Sequence, residues 1–325
     1  MRRAGTGPAA SPGATSPVQI TGPRVAAVTA DGTVPGRHDA EIAAAREVWQ
    51  GLGLPGLIDV HTHFMPHNVM RKVWAYFHAL GEGVWPITYQ QSDEERAALL
   101  RAFGVLRFTA LAYPHRPGMA EWLNGWAADF ADRHSDCLRS ATFYPEEGAA
   151  EYVAEEIAAG ARIFKAHLQV GAYDPRDPLL AGVWGALADS GTPVVVHCGS
   201  GPQSGPFTGP GPFAEVLAQH PRLTAVIAHF GMPEYTAFMD LAQGYERVHL
   251  DTTMAFTRFA ERMAPFPTAE LPRLKGLQDS VLLGTDFPNI PYTYPVQLQA
   301  LHALGQDDDW LRAVLYGNAA RLFGV

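Results

Sequence analysis

From residue 56 to the end of the chain, short apolar runs alternate with stretches of helical pattern. The strand-like runs are GLIDVHT (56–62), LRFTALA (106–112), LRSATFY (138–144) and RIFKAHL (162–168). They continue with PVVVH (193–197), LTAVIAH (223–229), RVHLD (247–251) and SVLLGTD (280–286). Helical stretches such as DEERAALLRAFG, AAEYVAEEIAAG and PLLAGVWGALADSG lie between them, the last two closing on a glycine stop. Strands that alternate with helices form parallel βαβ units. About eight such units predict an α/β fold, a closed (β/α)8 TIM barrel rather than an open doubly wound sheet. No GxGxxG or P-loop pattern follows the first run, which argues against a nucleotide fold.

The barrel needs most of the 325 residues, a length that suits one such domain. A single domain over residues 19–325 is expected, preceded by a disordered Gly/Pro/Ala/Ser-rich leader over 1–18 without the apolar core of a signal peptide. The net charge of −9 speaks against a general nucleic-acid or anionic-membrane surface. No run is long enough for a membrane span, and two cysteines give no disulfide framework, so a cytoplasmic setting is the expectation. The segment 64–91 separates the first strand from its helix. Val69, Met70, Val73, Trp74 and Phe77 recur there at helical spacing, predicting an inserted helix above the barrel mouth, with Trp85 and Tyr89 either roofing a pocket or packing the insertion.

Strand alternation places Asp59, His61 and His63 on one face. Two imidazoles two residues apart near a strand's end can converge on one ion. His197, His229 and Asp286 end three other strand candidates. Barrel enzymes place their catalytic groups at those C-terminal ends, and imidazoles with a carboxylate suit zinc or a similar divalent metal. In RIFKAHLQ the same alternation turns Lys165 and His167 inward, both as candidate substrate contacts. Cys198 turns away from His197, as a buried structural thiol would.

Taken in order, IDVHTHF, VVVHCGS, VIAHFGMPE and LLGTDFP resemble the amidohydrolase superfamily. The resemblance is closest to the amidohydrolase-related branch, which holds metal-dependent hydrolases and aminocarboxymuconate-semialdehyde decarboxylase-like enzymes. The closing YGNAARLFG looks like that branch's C-terminal helix. The resemblance implies that His61, His63, His197 and Asp286 bind one divalent metal, zinc by preference, with His229 beside it as a catalytic histidine. Asp286 would be the proton acceptor for a metal-activated water. Three roles for Lys165 stay open: an ion pair with Asp59 or another inner carboxylate, a substrate contact, or a carboxylated bridge to a second metal. The implied activity is hydrolysis of an amide, lactone or similar bond of a small organic molecule. The alternative is decarboxylation of an unsaturated or aromatic acid. The expected partners are an anionic or carbonyl-bearing small molecule and, as an open alternative, a second copy of the chain.

Overall fold

The computed structural model describes residue 36 and residues 38–325. The expected leader over 1–18 lies outside the described residues. The chain divides into two units, Met1–Ala40 and Glu41–Val325. Of the first, only residue 36 and residues 38–40 are described.

The second unit is a (β/α)8 barrel. Its strands are β1 (Leu57–Asp59), β2 (Val105–Thr109), β3 (Cys137–Leu138), β4 (Ser140–Thr142) and β5 (Ile163–His167). β6 (Val194–His197), β7 (Ala225–Ile227), β8 (Val248–Asp251) and β9 (Val281–Leu282) complete the set. All neighbours pair in parallel, as β1-β2-β3 and as β4 through β9. β3 and β4 are one barrel position interrupted at Arg139, so nine segments fill eight places. The ring closes where Thr62 bridges Phe287, with Val60 N donating to Leu283 O at 2.9 Å and His63 N to Phe287 O at 2.7 Å.

Short β-branched runs such as Val194–Val196 are buried on both faces, as parallel strands covered by helices require. Ile163 and Val195 share their faces with Lys165 and His167 and with His197, one step deeper. With Val226, Leu282 and Phe323 they form an apolar cluster under the polar mouth. The helices are set by their own end signals. Ser92 and Glu95 make a reciprocal capping box for the helix Asp93–Phe103, which ends on left-handed Gly104.

The insertion is the helix His67–Ala79, burying Met70 and Trp74. Trp74 Nε1 donates to Asn289 Oδ1 at 3.1 Å, and Trp85 Nε1 to Asn289 O at 2.8 Å. The insertion is thereby pinned to the turn after β9. Trp85 and Tyr89 prove to be packing side chains: Trp85 stacks on Phe77, and the Tyr89 hydroxyl donates to Glu41 and accepts from Tyr294 N. Among the described residues, no helix is long and apolar enough to cross a membrane.

Candidate metal centre

The C-terminal ends of β1 and β9 are neighbours because the barrel closes there. Closure brings His61 and His63 beside Asp286. One ligand atom from each of the three lies within 4.8 Å of the others. His63 Nε2 is 2.7 Å and His61 Nε2 3.6 Å from Asp286 Oδ1.

The second ring nitrogens decide what this cluster can hold. His61 Nδ1 is 2.7 Å from Asp251 Oδ2, and His63 Nδ1 is 2.8 Å from the Leu111 carbonyl oxygen. Both partners are acceptors, so each Nδ1 carries the proton and each Nε2 presents a lone pair. Two lone pairs and a carboxylate oxygen then face one another in a buried space. A divalent cation satisfies all three, and a ligating histidine commonly carries just such an anchor on its other nitrogen. The donor set therefore fits a metal.

Electrostatics favours the ligating protonation states. Burial, with Lys165 nearby, lowers the His61 pKa to about 4, and burial lowers that of His229 to about 4. Burial and neighbouring imidazoles hold His167 and His197 well below the ordinary range. Burial opposes ionisation of Asp286, but the neighbouring His63, His229 and His61 rings outweigh it and keep the carboxyl low. Asp251 is held ionised against the same burial by His61 and His229.

His197 stands beside the three-donor cluster. Its Nε2 is 3.1 Å from the Gly201 carbonyl oxygen, its ring stacks on His167 at 4.0 Å, and the His229 ring is 4.6 Å away. His229 Nδ1 is buried without a hydrogen-bond partner among the described residues, and its ring lies 5.3 Å from that of His61. His229 and Asp286 both have left-handed backbone, φ 56° and 70°. Such strain in non-glycine residues is costly and gathers at working sites.

Lys165 points inward as its strand predicts. It does not pair with Asp59. Its Nζ lies 2.9 Å from His61 Nε2, and burial lowers its pKa to about 8 although Asp251 and Asp286 oppose the shift. Asp59 instead accepts from Thr285 Oγ1 at 2.6 Å and from the Tyr294 hydroxyl at 3.0 Å, and burial raises its pKa to about 7. His167 faces Tyr113 at 4.8 Å as well as His197. Cys198 is buried and free.

Sequence reasoning missed three contributors. Asp251 ends β8 and receives His61 Nδ1, His229 N and Thr253 N. The signal for it was available, since it is the last residue of the run RVHLD. Tyr113, 5.6 Å from the His63 ring, forms a wall of the site. Gly284 has no side chain because a Cβ there would meet His61 Cβ at 2.9 Å and Asp251 Cγ at 3.1 Å.

Among known proteins, the amidohydrolase family model matches residues 58–325. No curated protein matches the chain. Solved structures of similar fold include an uncharacterised TIM-barrel protein from Bordetella bronchiseptica, 20% identical with a TM-score of 0.64 over 82% of this chain and 99% of that one. A 5-carboxyvanillate decarboxylase from Novosphingobium aromaticivorans, complexed with manganese and a nitrobenzoic acid, is 14% identical with a TM-score of 0.55 over 84% and 97%. A probable 2-pyrone-4,6-dicarboxylic acid hydrolase from Acinetobacter baumannii is 15% identical with a TM-score of 0.57 over 83% and 100%. With the matched segment spanning the whole barrel and carrying the His–His–Asp cluster, the chain belongs to the amidohydrolase family.

Proposed function

We propose that the protein is a metal-dependent hydrolase of a small organic molecule with a carboxylate or polarised carbonyl, acting on an amide, lactone or similar bond. The observation that carries this reading is the convergence of the His61 and His63 Nε2 lone pairs on Asp286 Oδ1. His61, His63 and Asp286, with His197 beside them as a further ligand, would hold one divalent cation, zinc by preference. When bound, such a cation would supply Lewis acidity, able to lower the pKa of water to about 7 and to polarise a carbonyl. Asp286 accepts the proton of the attacking water and returns it to the leaving group. The free nitrogen of His229 hydrogen-bonds the substrate oxygen where charge develops. Lys165 and His167 bind the substrate's anionic end.

A second reading, decarboxylation of an aromatic acid, is favoured by the flat rings of Tyr113, His167 and His197 beside the cluster, against which such an acid would stack. The manganese-bound decarboxylase of similar fold supports the same choice. Incubating the metal-loaded protein with a panel of lactones and aromatic acids separates the two. Ring opening without carbon dioxide is expected, carbon dioxide release assigns a lyase, and no turnover of any substrate contradicts both. Lys165→Met should raise KM with metal content unchanged. A fall in metal content would instead assign Lys165 to a bridge between two ions.

A further inference from the structure

At the opposite end of the barrel from the histidines lies an open hollow of about 350 Å³. Arg107 of β2, Arg139 between β3 and β4, and Arg162 just before β5 all line it, together with Ser135 and Asp132. Three arginines from three successive barrel positions therefore line one hollow, in a protein whose net charge is −9. Their own bonds leave most of their donors unused. Arg107 Nη1 gives one bond to the Leu106 carbonyl oxygen, and Arg162 Nη2 gives one to that of Phe323. Neither makes an ion pair with a carboxylate among the described residues. Arg139 meets Glu156 only at 3.5 Å, and its Nε is buried without a partner among the described residues. Asp132 lines the same hollow and the helix Ala120–Arg133 ends beside it, so part of this charge is offset.

We propose that this hollow binds a small polyvalent anion, a polycarboxylate or a phosphate compound, through Arg107, Arg139 and Arg162. Guanidinium forks match the paired oxygens of both groups. The volume is at the lower end of the range of about 300–1,000 Å³ for small-molecule sites, which suits a compact ligand. The site is separate from the metal centre and needs no metal. Its ligand would tie together the N-terminal ends of β2, β4 and β5, and β5 carries Lys165 and His167 at its other end.

Hydrogen exchange of the full chain is followed with inorganic pyrophosphate or citrate as probe, and with sodium chloride at matched ionic strength as control. Either probe should slow exchange in residues 131–139 and 160–163, pyrophosphate alone indicating a phosphate ligand and citrate alone a polycarboxylate. Because both probes also bind metals, the measurement is repeated on His61→Ala, where the protection should persist. Arg139→Gln combined with Arg162→Gln should weaken it at least about tenfold, the cost of a lost charge-assisted contact of ~1.5–3 kcal/mol. Protection by neither probe in wild type would overturn the proposal. So would protection confined to the barrel mouth, or loss in His61→Ala with retention in the arginine variant. The wild-type and His61→Ala arms decide the matter even if the arginine variant does not fold.

Discussion

Asp251 is fully buried and takes three donors at once, from the His61 ring, the His229 backbone and the Thr253 backbone. It fixes the tautomer of His61 and the place of His229, acting on the metal site through them. Asp251→Asn keeps the shape and removes the charge, so metal affinity should fall about 10–100-fold, as for other anchors of ligating histidines. Metal titration with a competing chelator reads this directly, and unchanged affinity would remove Asp251 from the account. Gly284→Ala pushes a methyl into the same group of residues. It should destabilise the protein by about 1–3 kcal/mol, measured by denaturant unfolding, as small-to-large changes in packed sites do. Asp286→Asn should cut turnover by about 10²–10⁴-fold with the metal retained, the usual range for a lost general base. Full turnover in that variant would mean that another group takes the proton.

At the scale of elements, the insertion matters because its two tryptophans meet Asn289, and Asn289 N bonds the Asp286 carbonyl oxygen at 2.8 Å. Trp74→Phe removes one of these donors and strands the Asn289 side-chain oxygen. A loss of about 1–3 kcal/mol is expected from thermal unfolding, the cost of an unsatisfied buried acceptor. β8 contributes a pH response of its own. Burial, with Arg321 nearby, lowers the His249 pKa from 6.5 to about 4. The unfolded chain therefore binds this proton first, and the stability held by neutral His249 is complete above about pH 6.5 and lost as pH falls toward 4. His249→Gln should flatten the acid side of the stability curve by up to about 1.4 kcal/mol per pH unit in that window. Parallel curves for the two proteins would show that His249 titrates normally. These elements also mark what the sequence could convey. Alternation correctly turned Lys165 and His167 inward, and the spacing of Met70 and Trp74 located the inserted helix. It could not reveal the break at Arg139, which depends on how the ladder is paired. Nor could it supply the Lys165–His61 contact, which forms between strands 104 residues apart.

For the whole molecule, closure of the barrel is what creates the site, since His63 and Asp286 are 223 residues apart in the chain. The order of strands and helices made that closure legible, and the motifs at the strand ends pointed to His61, His63 and Asp286, which closure brings together. The substrate was not legible, because the rings of Tyr113, His167 and His197 come together beside the cluster only in the folded ring. A cation bound only by the folded state should stabilise it by about 2.7 kcal/mol at a hundred times its dissociation constant. Dialysis against a chelator should lower the Tm and zinc should restore it, whereas a Tm indifferent to both would argue against a metal that spans the closure. The most direct measurement is anomalous X-ray scattering from crystals grown without chelator. The account predicts one peak at the barrel mouth, about 2.0–2.2 Å from His61 Nε2, His63 Nε2 and an Asp286 oxygen. No peak there, or two peaks bridged by a carboxylated Lys165, would contradict a single ion held by these residues.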